Sequence, residues 1–247
     1  MRMAIIFFLA GMCAAEASAQ SLTAISLLRD ARARVTSLER KADQANGSLL
    51  VSVAFNASVL GRSVSGNAKY RITIINGVDR KNQIIGKSFF SDSGSARMMA
   101  REFDRRLNKP MMDYYLDMAF PWRRFLAKAG KKRMFTATLD SDSVEVDGRT
   151  CFLISFKVDT QGDSISAVGG GRIWLDAHTL LPVRTDRDFN TKTSRGNAQV
   201  ISTSEFGSIP SGVPVLLRSE TRTVPKFLFL SVGSIKTMVE QSDFNLE

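Results

Sequence analysis

The sequence predicts an α+β fold: an incomplete, strongly curved antiparallel β-barrel whose open side is covered by helices. A helical period near the N-terminus, two-residue alternation over most of the remaining chain, and a helical, Met-rich mid-chain segment predict it. About nine strands with one apolar face each are expected to twist and curl. An N-terminal helix and mid-chain helices must then cover the open side, because the apolar face would otherwise be exposed to water.

The first nineteen residues have the organisation of a cleavable signal peptide. Arg2 supplies a positive charge, residues 4–15 form an uncharged apolar stretch, and residues 17–19 fit the small-x-small rule for cleavage. The apolar stretch is too short for a stable membrane-spanning helix. Cys13 offers a lipoprotein signal as the alternative, although Met12 stands where a small residue should precede a lipidated cysteine.

Removal of residues 1–19 leaves residues 20–247, which suffice for one domain with one sizeable core. We therefore expect a single domain, monomeric and exported to the periplasm. Cys151 is the one cysteine left after cleavage, so an intramolecular disulfide is impossible and a buried structural cysteine is expected. The net charge of +10 predicts anionic partners, and outside the cytoplasm anionic lipid fits better than nucleic acid.

Helical periodicity covers residues 21–45, where apolar residues recur at three- to four-residue intervals and arginines occupy the other face. Asn46-Gly47 predicts the end of this helix. The period then changes to two, which predicts strands over 49–57 and 68–74 and a further strand over 78–90. Asn76-Gly77 predicts the turn before that third strand.

The second half of the chain alternates again and predicts an antiparallel meander that completes the sheet. A turn is expected at 140–143, and 169–171, three glycines, are expected to form a flexible loop before a strand at 172–176. His178, the single histidine, falls in the next turn and is expected to be exposed. The other strands are expected at 135–139, 144–146, 152–158, 183–189, 198–206, 215–224, 227–232 and the final stretch.

Residues 95–134 differ from the rest of the chain, because eleven Lys or Arg against four acids give them a local net charge of +7. They also contain many Met and aromatic residues, and helices broken near Pro110 and Pro121 are predicted. One interpretation is a helical lid with a solvated cationic face. The other, compatible with it, is that Met and aromatic side chains line an adaptable apolar mouth while the cationic face contacts anionic headgroups. The candidates for headgroup contact are Arg105, Arg106, Arg123 and Arg124.

Residues 146–190 carry a resemblance to a known family. Val-Asp-Gly-Arg at 146–149 looks like the family's "dGr" strand entry, and Arg-Ile-Trp-Leu-Asp at 172–176, followed by Leu-Pro-Val-Arg at 181–184, looks like its "i.W.D..t.lP.r" hairpin. Residues 208–217 resemble the next edge. On these motifs the chain resembles the LolA-like superfamily of periplasmic lipoprotein carriers and related lipid-binding proteins, which includes the RseB-like regulators.

The resemblance implies a barrel plugged by helices and a non-enzymatic carrier that holds acyl chains of lipid or lipoprotein in an apolar cavity, in the setting of lipoprotein transport and outer-membrane biogenesis. An RseB-like sensor or protein-interaction module of the envelope is the alternative, and a periplasmic hydrolase is the third hypothesis. The candidate ligand contacts are strand residues and lid residues, namely Val51, Val53, Phe55, Tyr70, Ile72, Met98, Met99, Met111, Met112, Trp122, Ile154, Phe156 and Trp174. The same residues would equally form a dry core, and Trp174 is equally a core or rim aromatic.

Motifs for catalysis, metals and cofactors are missing from the sequence. It has no Gly-x-Ser-x-Gly elbow and no second histidine with which to build a usual zinc site. Asp140-x-Asp142 lacks the later Gly and Glu of a calcium loop, and the three glycines at 169–171 precede a strand rather than a helix, unlike a phosphate-binding loop. We therefore expect no enzyme, no metal and no cofactor.

Overall fold

The computed structural model describes residues 2–59, 62–89, 111–130, 132–162, 165–193, 196–227, 230–231 and 233–246. Met98, Met99, Arg105 and Arg106 lie outside the described residues. The described elements are, in chain order, α1 (Arg2–Asp43), β1 (Gly47–Val59), β2 (Arg62–Ile75), β3 (Val78–Phe89), α2 (Met111–Ala119), α3 (Trp122–Lys128), β4 (Lys132–Val146), β5 (Arg149–Gln161), β6 (Ile165–Asp176), β7 (Pro182–Thr193), β8 (Gly196–Ser208), β9 (Pro214–Phe227), β10 (Leu230–Ser231) and β11 (Gly233–Leu246).

All described strands belong to one antiparallel sheet in the order β3-β2-β1-β11-β9-β8-β7-β6-β5-β4, with the short β10 paired to β9. β3 and β4 are its two edges, and in the described part of the chain they do not pair with each other. The sheet is therefore curved but not closed, which confirms the predicted incomplete barrel. It contains ten long strands, against about nine expected.

Side chains alternate between the two faces of the sheet, so residues that pair across neighbouring strands lie on the same face. The pairing therefore identifies the residues of one face across nearly all described strands. On this face Val51 lies opposite Tyr70, Ser204 lies opposite Ser219, and Phe156 lies opposite Ala137. Apolar residues of the three described helices pack in one cluster with the side chains of β4–β9 on this face. We call it the helix-covered face.

Helix α1 runs without a break from Arg2 to Asp43, through the predicted cleavage site. Its buried residues Ala24, Leu28, Ala31 and Val35 are three or four positions apart, as the periodicity predicts, and its body packs beside β4. None of the described helices has the combination of length and apolarity needed to cross a membrane.

The end of α1 is attached to the turn between β2 and β3. The Gly77 amide donates to the carbonyl of Ala45 (2.9 Å), and the Asn76 amide donates to the side chain of Asn46 (3.0 Å). Asn76 and Gly77 both have positive φ, as the predicted Asn-Gly turn requires. Helix α1 therefore reaches from edge strand β4 to the hairpin at the opposite edge.

Two expectations about turns are wrong. Residues 169–171 lie inside β6 rather than in a loop. Residues 140–143 lie inside β4, where the pairing with β5 is irregular between Leu139 and Val144 and the Ser155 hydroxyl donates to the Asp140 carboxylate. Such irregular pairing, as in a β-bulge, places extra residues on one strand without ending it. The polar sequence at 140–143 resembles that of a turn for this reason.

The hairpin motif at 172–184, on which the family resemblance partly rests, has a structural role in the turn between β6 and β7. The Asp176 carboxylate accepts hydrogen bonds from the amides of His178 (3.0 Å) and Thr179 (2.8 Å), and Leu180 has a positive φ. Burial acts to raise the pKa of Asp176, but these hydrogen bonds outweigh it and hold that pKa below its usual range. His178 is exposed, as expected.

Candidate ligand-binding face

The helix-covered face has three zones. An apolar zone lies on β2, β1 and β11, and a polar zone lies on β9, β8 and β7. An aromatic zone lies beneath α3 on β6, β5 and β4 and includes Phe189 of β7. Phe244 and Leu246 at the end of β11 contact both the apolar zone and the large core cluster that includes the aromatic zone. The apolar zone and the aromatic zone are therefore joined where β11 ends, at Phe244 and Leu246. Elsewhere the side chains of the polar zone separate them.

The apolar zone brings together most of the strand residues that the alternation predicted. Val51, Val53 and Ile72 are buried in one cluster, whose other members are Leu49, Ile74 and Val239. Tyr70 is buried opposite Val51 across the β1–β2 pair, and Phe55 is half-buried on the same face. Four of the predicted side chains, from two neighbouring strands, thus lie together on the helix-covered face, with Phe55 on the same face.

In the aromatic zone, side chains fill the space between α3 and the sheet. The Trp122 ring lies 4.5 Å from that of Phe156, 5.1 Å from that of Phe135 and 5.7 Å from that of Phe120, measured between ring centroids. Ile154 and Met112 are buried in the same cluster. Met111 is the first residue of α2. The predicted contacts Trp122, Ile154 and Phe156 therefore form a packed core in this structure.

The polar zone was missed by sequence reasoning. Thr185, Ser202, Ser204 and Ser219 are buried, and Arg187 lies among them, partly exposed. The Thr185 hydroxyl donates to the carbonyl of Ala119 at the end of α2 (3.1 Å). The sequence did contain a signal for this zone. In β7 and β8, polar residues occupy positions of both faces, whereas a strand with one apolar face has them mainly on the other.

Trp174 lies on the opposite face, away from the other candidates. It packs with Cys151 and Val183 in a separate cluster. The guanidinium groups of Arg172 and Arg184 lie 5.3 Å and 5.2 Å from the centre of its ring, within cation–π distance. Trp174 of the predicted hairpin thus contacts Arg172 and Arg184, and it lies on the face of the sheet opposite the helices.

Cys151 is 0% exposed, so its expected burial is confirmed. Burial and, to a smaller extent, the nearby Asp176 carboxylate raise the pKa of its thiol, and the reactive thiolate is therefore scarcer at any given pH. We predict no labelling by a small thiol reagent at pH 8 in the native protein and one label per chain in denaturant. Thr150→Cys, at an exposed neighbouring position, is the control and should add one label in the native state. Rapid labelling of wild-type protein would contradict the prediction.

The two described arginines of the predicted headgroup contact are engaged in ion pairs. Arg123 lies 3.5 Å from Asp113 and 3.6 Å from Asp117, and Arg124 lies 3.6 Å from Asp117. Both acids belong to α2, so these pairs connect α2 to α3. Such partly exposed pairs contribute little to stability, about 0–1 kcal/mol each, and leave the two cations available for exchange with other anions.

Two cavities lined by described residues lie away from the predicted contacts. One of about 830 Å³ lies at the strand ends around Thr160, Ala167, Thr191 and Lys226, and one of about 700 Å³ lies beside the arginines of α1. Within the ranges that the structure describes, no group of three His, Cys, Asp or Glu side chains is placed to hold a metal ion.

No protein-family model and no curated protein matches the sequence. Among solved structures, the chain is similar to an outer membrane lipoprotein-sorting protein domain from Vibrio parahaemolyticus (9% identity, 91% of this chain and 92% of that chain covered, TM-score 0.36). It is also similar to a DUF1329 family protein from Desulfovibrio piger (13%, 87% and 92%, TM-score 0.29) and to the MucA/MucB complex of Pseudomonas aeruginosa (9%, 87% and 94%, TM-score 0.23).

Proposed function

We propose that the protein is a periplasmic, non-enzymatic carrier that binds acyl chains of lipid or lipoprotein against its helix-covered face. The observation that carries the proposal is the continuity of two apolar surfaces, the apolar zone and the aromatic zone, on one side of an open sheet. A ligand chain that lies along them needs no polar chemistry. Each buried methylene contributes about 0.8 kcal/mol, so ten to fifteen of them contribute roughly 8–12 kcal/mol before the cost of association.

The packed core requires that something moves before a ligand enters. Helices α2 and α3 contain nine and seven residues, lengths at which an isolated helix is marginal in water. They are held by buried side chains such as Met112 and Trp122 and by the hydrogen bond from Thr185 to Ala119. Acyl chains that replace these side chains would preserve the apolar contacts of the sheet, and the helices would act as a lid.

The proposal predicts that the protein, purified from the periplasm without detergent, carries lipid or binds it on addition. Native mass spectrometry should show mass additions in steps that match phospholipids or acylated peptides, and solvent extraction should recover the same molecules. The control is the same protein after extraction and refolding, which should take up the ligand again. A lipid-free protein that also fails to bind added lysophospholipid would contradict the carrier function.

A further inference from the structure

Three hydrogen-bond donors from three neighbouring strands converge on one atom in the polar zone. Arg187 Nη2 lies 3.8 Å from Met118 Sδ, and Ser204 Oγ and Ser219 Oγ each lie 3.9 Å from it. The two serine hydroxyls are 3.1 Å apart. A thioether sulfur is a weak acceptor, and one of the two serine hydroxyls gives its single proton to the other. A strongly accepting oxygen in place of the sulfur could accept from the guanidinium and from both hydroxyls.

Arg187 has a hydrogen-bond partner but makes no ion pair with a described residue. Its Nε donates to Ser202 Oγ (2.6 Å), and among the described residues no carboxylate oxygen lies within 4.0 Å of its guanidinium. Burial is the main cause that lowers the pKa of Arg187. Tyr114 opposes it, Arg124 adds a smaller lowering, and Asp117 has a smaller opposing effect still. Arg187 is only partly exposed, and largely enclosed charges in proteins are normally paired, because removing a charge from water is costly.

Helix α2 carries a further buried polar atom without a partner, close to Met118 in the sequence. The Tyr115 hydroxyl has no hydrogen-bond partner among the described residues. Asp117 Oδ1 also lacks a hydrogen bond, but it lies 3.6 Å from the Arg123 guanidinium in an ion pair. The large majority of buried polar atoms in proteins do have a hydrogen-bond partner. Met118 itself is an unbranched, flexible side chain on a short helix, and it can leave its position at little cost.

We propose that Arg187, Ser204 and Ser219 form an interior oxyanion site, closed by Met118, that binds the phosphate or carboxylate of an anionic acyl ligand. The proposal rests on the proposed function, since the acyl chain would occupy the adjoining apolar surface. When α2 is displaced, the sulfur leaves and a ligand oxygen takes its place. A guanidinium and two hydroxyls then supply charge-assisted hydrogen bonds, which are stronger than neutral ones. The site thereby binds anionic lipids in preference to neutral lipids.

The test compares ligands with one chain and different heads, below their micelle concentrations, by calorimetry. Wild-type protein should bind lysophosphatidic acid about 10- to 100-fold more tightly than the monoacylglycerol of the same chain, the size of effect expected for hydrogen bonds to a charged group. Arg187→Gln should abolish that preference and leave monoacylglycerol binding unchanged. Arg184→Gln is the matched control, because Arg184 lies on the same strand, faces the opposite side and pairs with Asp186 at 3.1 Å. It should behave as wild type.

Each outcome decides between the claims. Equal affinity of wild type for both ligands overturns the oxyanion site and leaves the carrier function standing. Failure of wild type to bind either ligand contradicts the carrier function. The oxyanion site is then tested with inorganic phosphate alone, which should raise the melting temperature of wild type but not that of Arg187→Gln. No effect of phosphate in that case overturns the site as well. Competition by inorganic phosphate against lysophosphatidic acid shows that the head suffices, and its absence shows that the lipid is required. If Arg187→Gln does not fold, the Ser204→Ala/Ser219→Ala double variant replaces it, with the same expected loss of preference.

Discussion

Replacing Gly171 by alanine is expected to destabilise the protein by about 3 kcal/mol or more, as overpacking against backbone does. A Cβ at this position would lie 2.0 Å from the carbonyl oxygen of Asp186 on β7 and 2.8 Å from Cζ of Phe156 on β5. The sheet would have to separate there, or the Phe156 ring would have to leave the aromatic zone. Urea unfolding followed by circular dichroism measures the change.

Gly86→Ala is the control for that substitution. Gly86 is also inside a strand, β3, and a Cβ added to it meets no atom within 4 Å. Alanine there should change the free energy of unfolding by less than about 1 kcal/mol, in either direction. Equal effects at the two glycines would mean that the β6 glycines do not make room for the aromatic zone.

Trp122→Ala is expected to cost about 3–5 kcal/mol, the range measured for removing a buried aromatic side chain. Trp122 connects α3 to Phe135 and Phe156, so its loss removes one of the two aromatic attachments of this helix to the sheet, and the contact of Phe125 with Phe189 is left. That is a large fraction of a typical stability of 5–15 kcal/mol. The variant should therefore also bind a hydrophobic dye under native conditions, because the aromatic zone becomes accessible.

Trp122→Phe is the matched control, since it keeps an aromatic ring in the cluster, and it should lose less stability and bind little dye. Stability is measured by thermal and urea unfolding, and dye binding by fluorescence. A Trp122→Ala protein that is as stable as wild type would show that α3 is not held in the way the structure indicates.

The sequence predicted the sheet well where one face of a strand is apolar. Alternation at Val51 and Val53, and again at Ile154 and Phe156, indicates the strand and its buried face, because a two-residue period is a local property. The Asn76-Gly77 turn was equally readable, since few residues other than glycine and asparagine adopt its positive φ values.

What could not be predicted depends on contacts between distant strands. The local sequence at Gly171 favours a loop, whereas in the sheet the lack of a side chain there makes room for the Asp186 carbonyl and the Phe156 ring of the two neighbouring strands. Trp174 alternates with Ile173 and Leu175, but only the register with β5 shows that it lies beside Cys151 on the opposite face. Polar residues on β7 and β8 were visible in the sequence, but the convergence of Arg187, Ser204 and Ser219 on Met118 depends on how β7, β8 and β9 are aligned.

The most direct test of the carrier account uses the two tryptophans as reporters on opposite faces of the sheet. Trp174→Phe leaves Trp122 as the only tryptophan, and Trp122→Phe leaves Trp174. On titration with a lysophospholipid below its micelle concentration, the account predicts a saturable change in Trp122 emission and no change in Trp174 emission. An unchanged Trp122, or equal changes at both positions, would contradict binding of acyl chains beneath the helices.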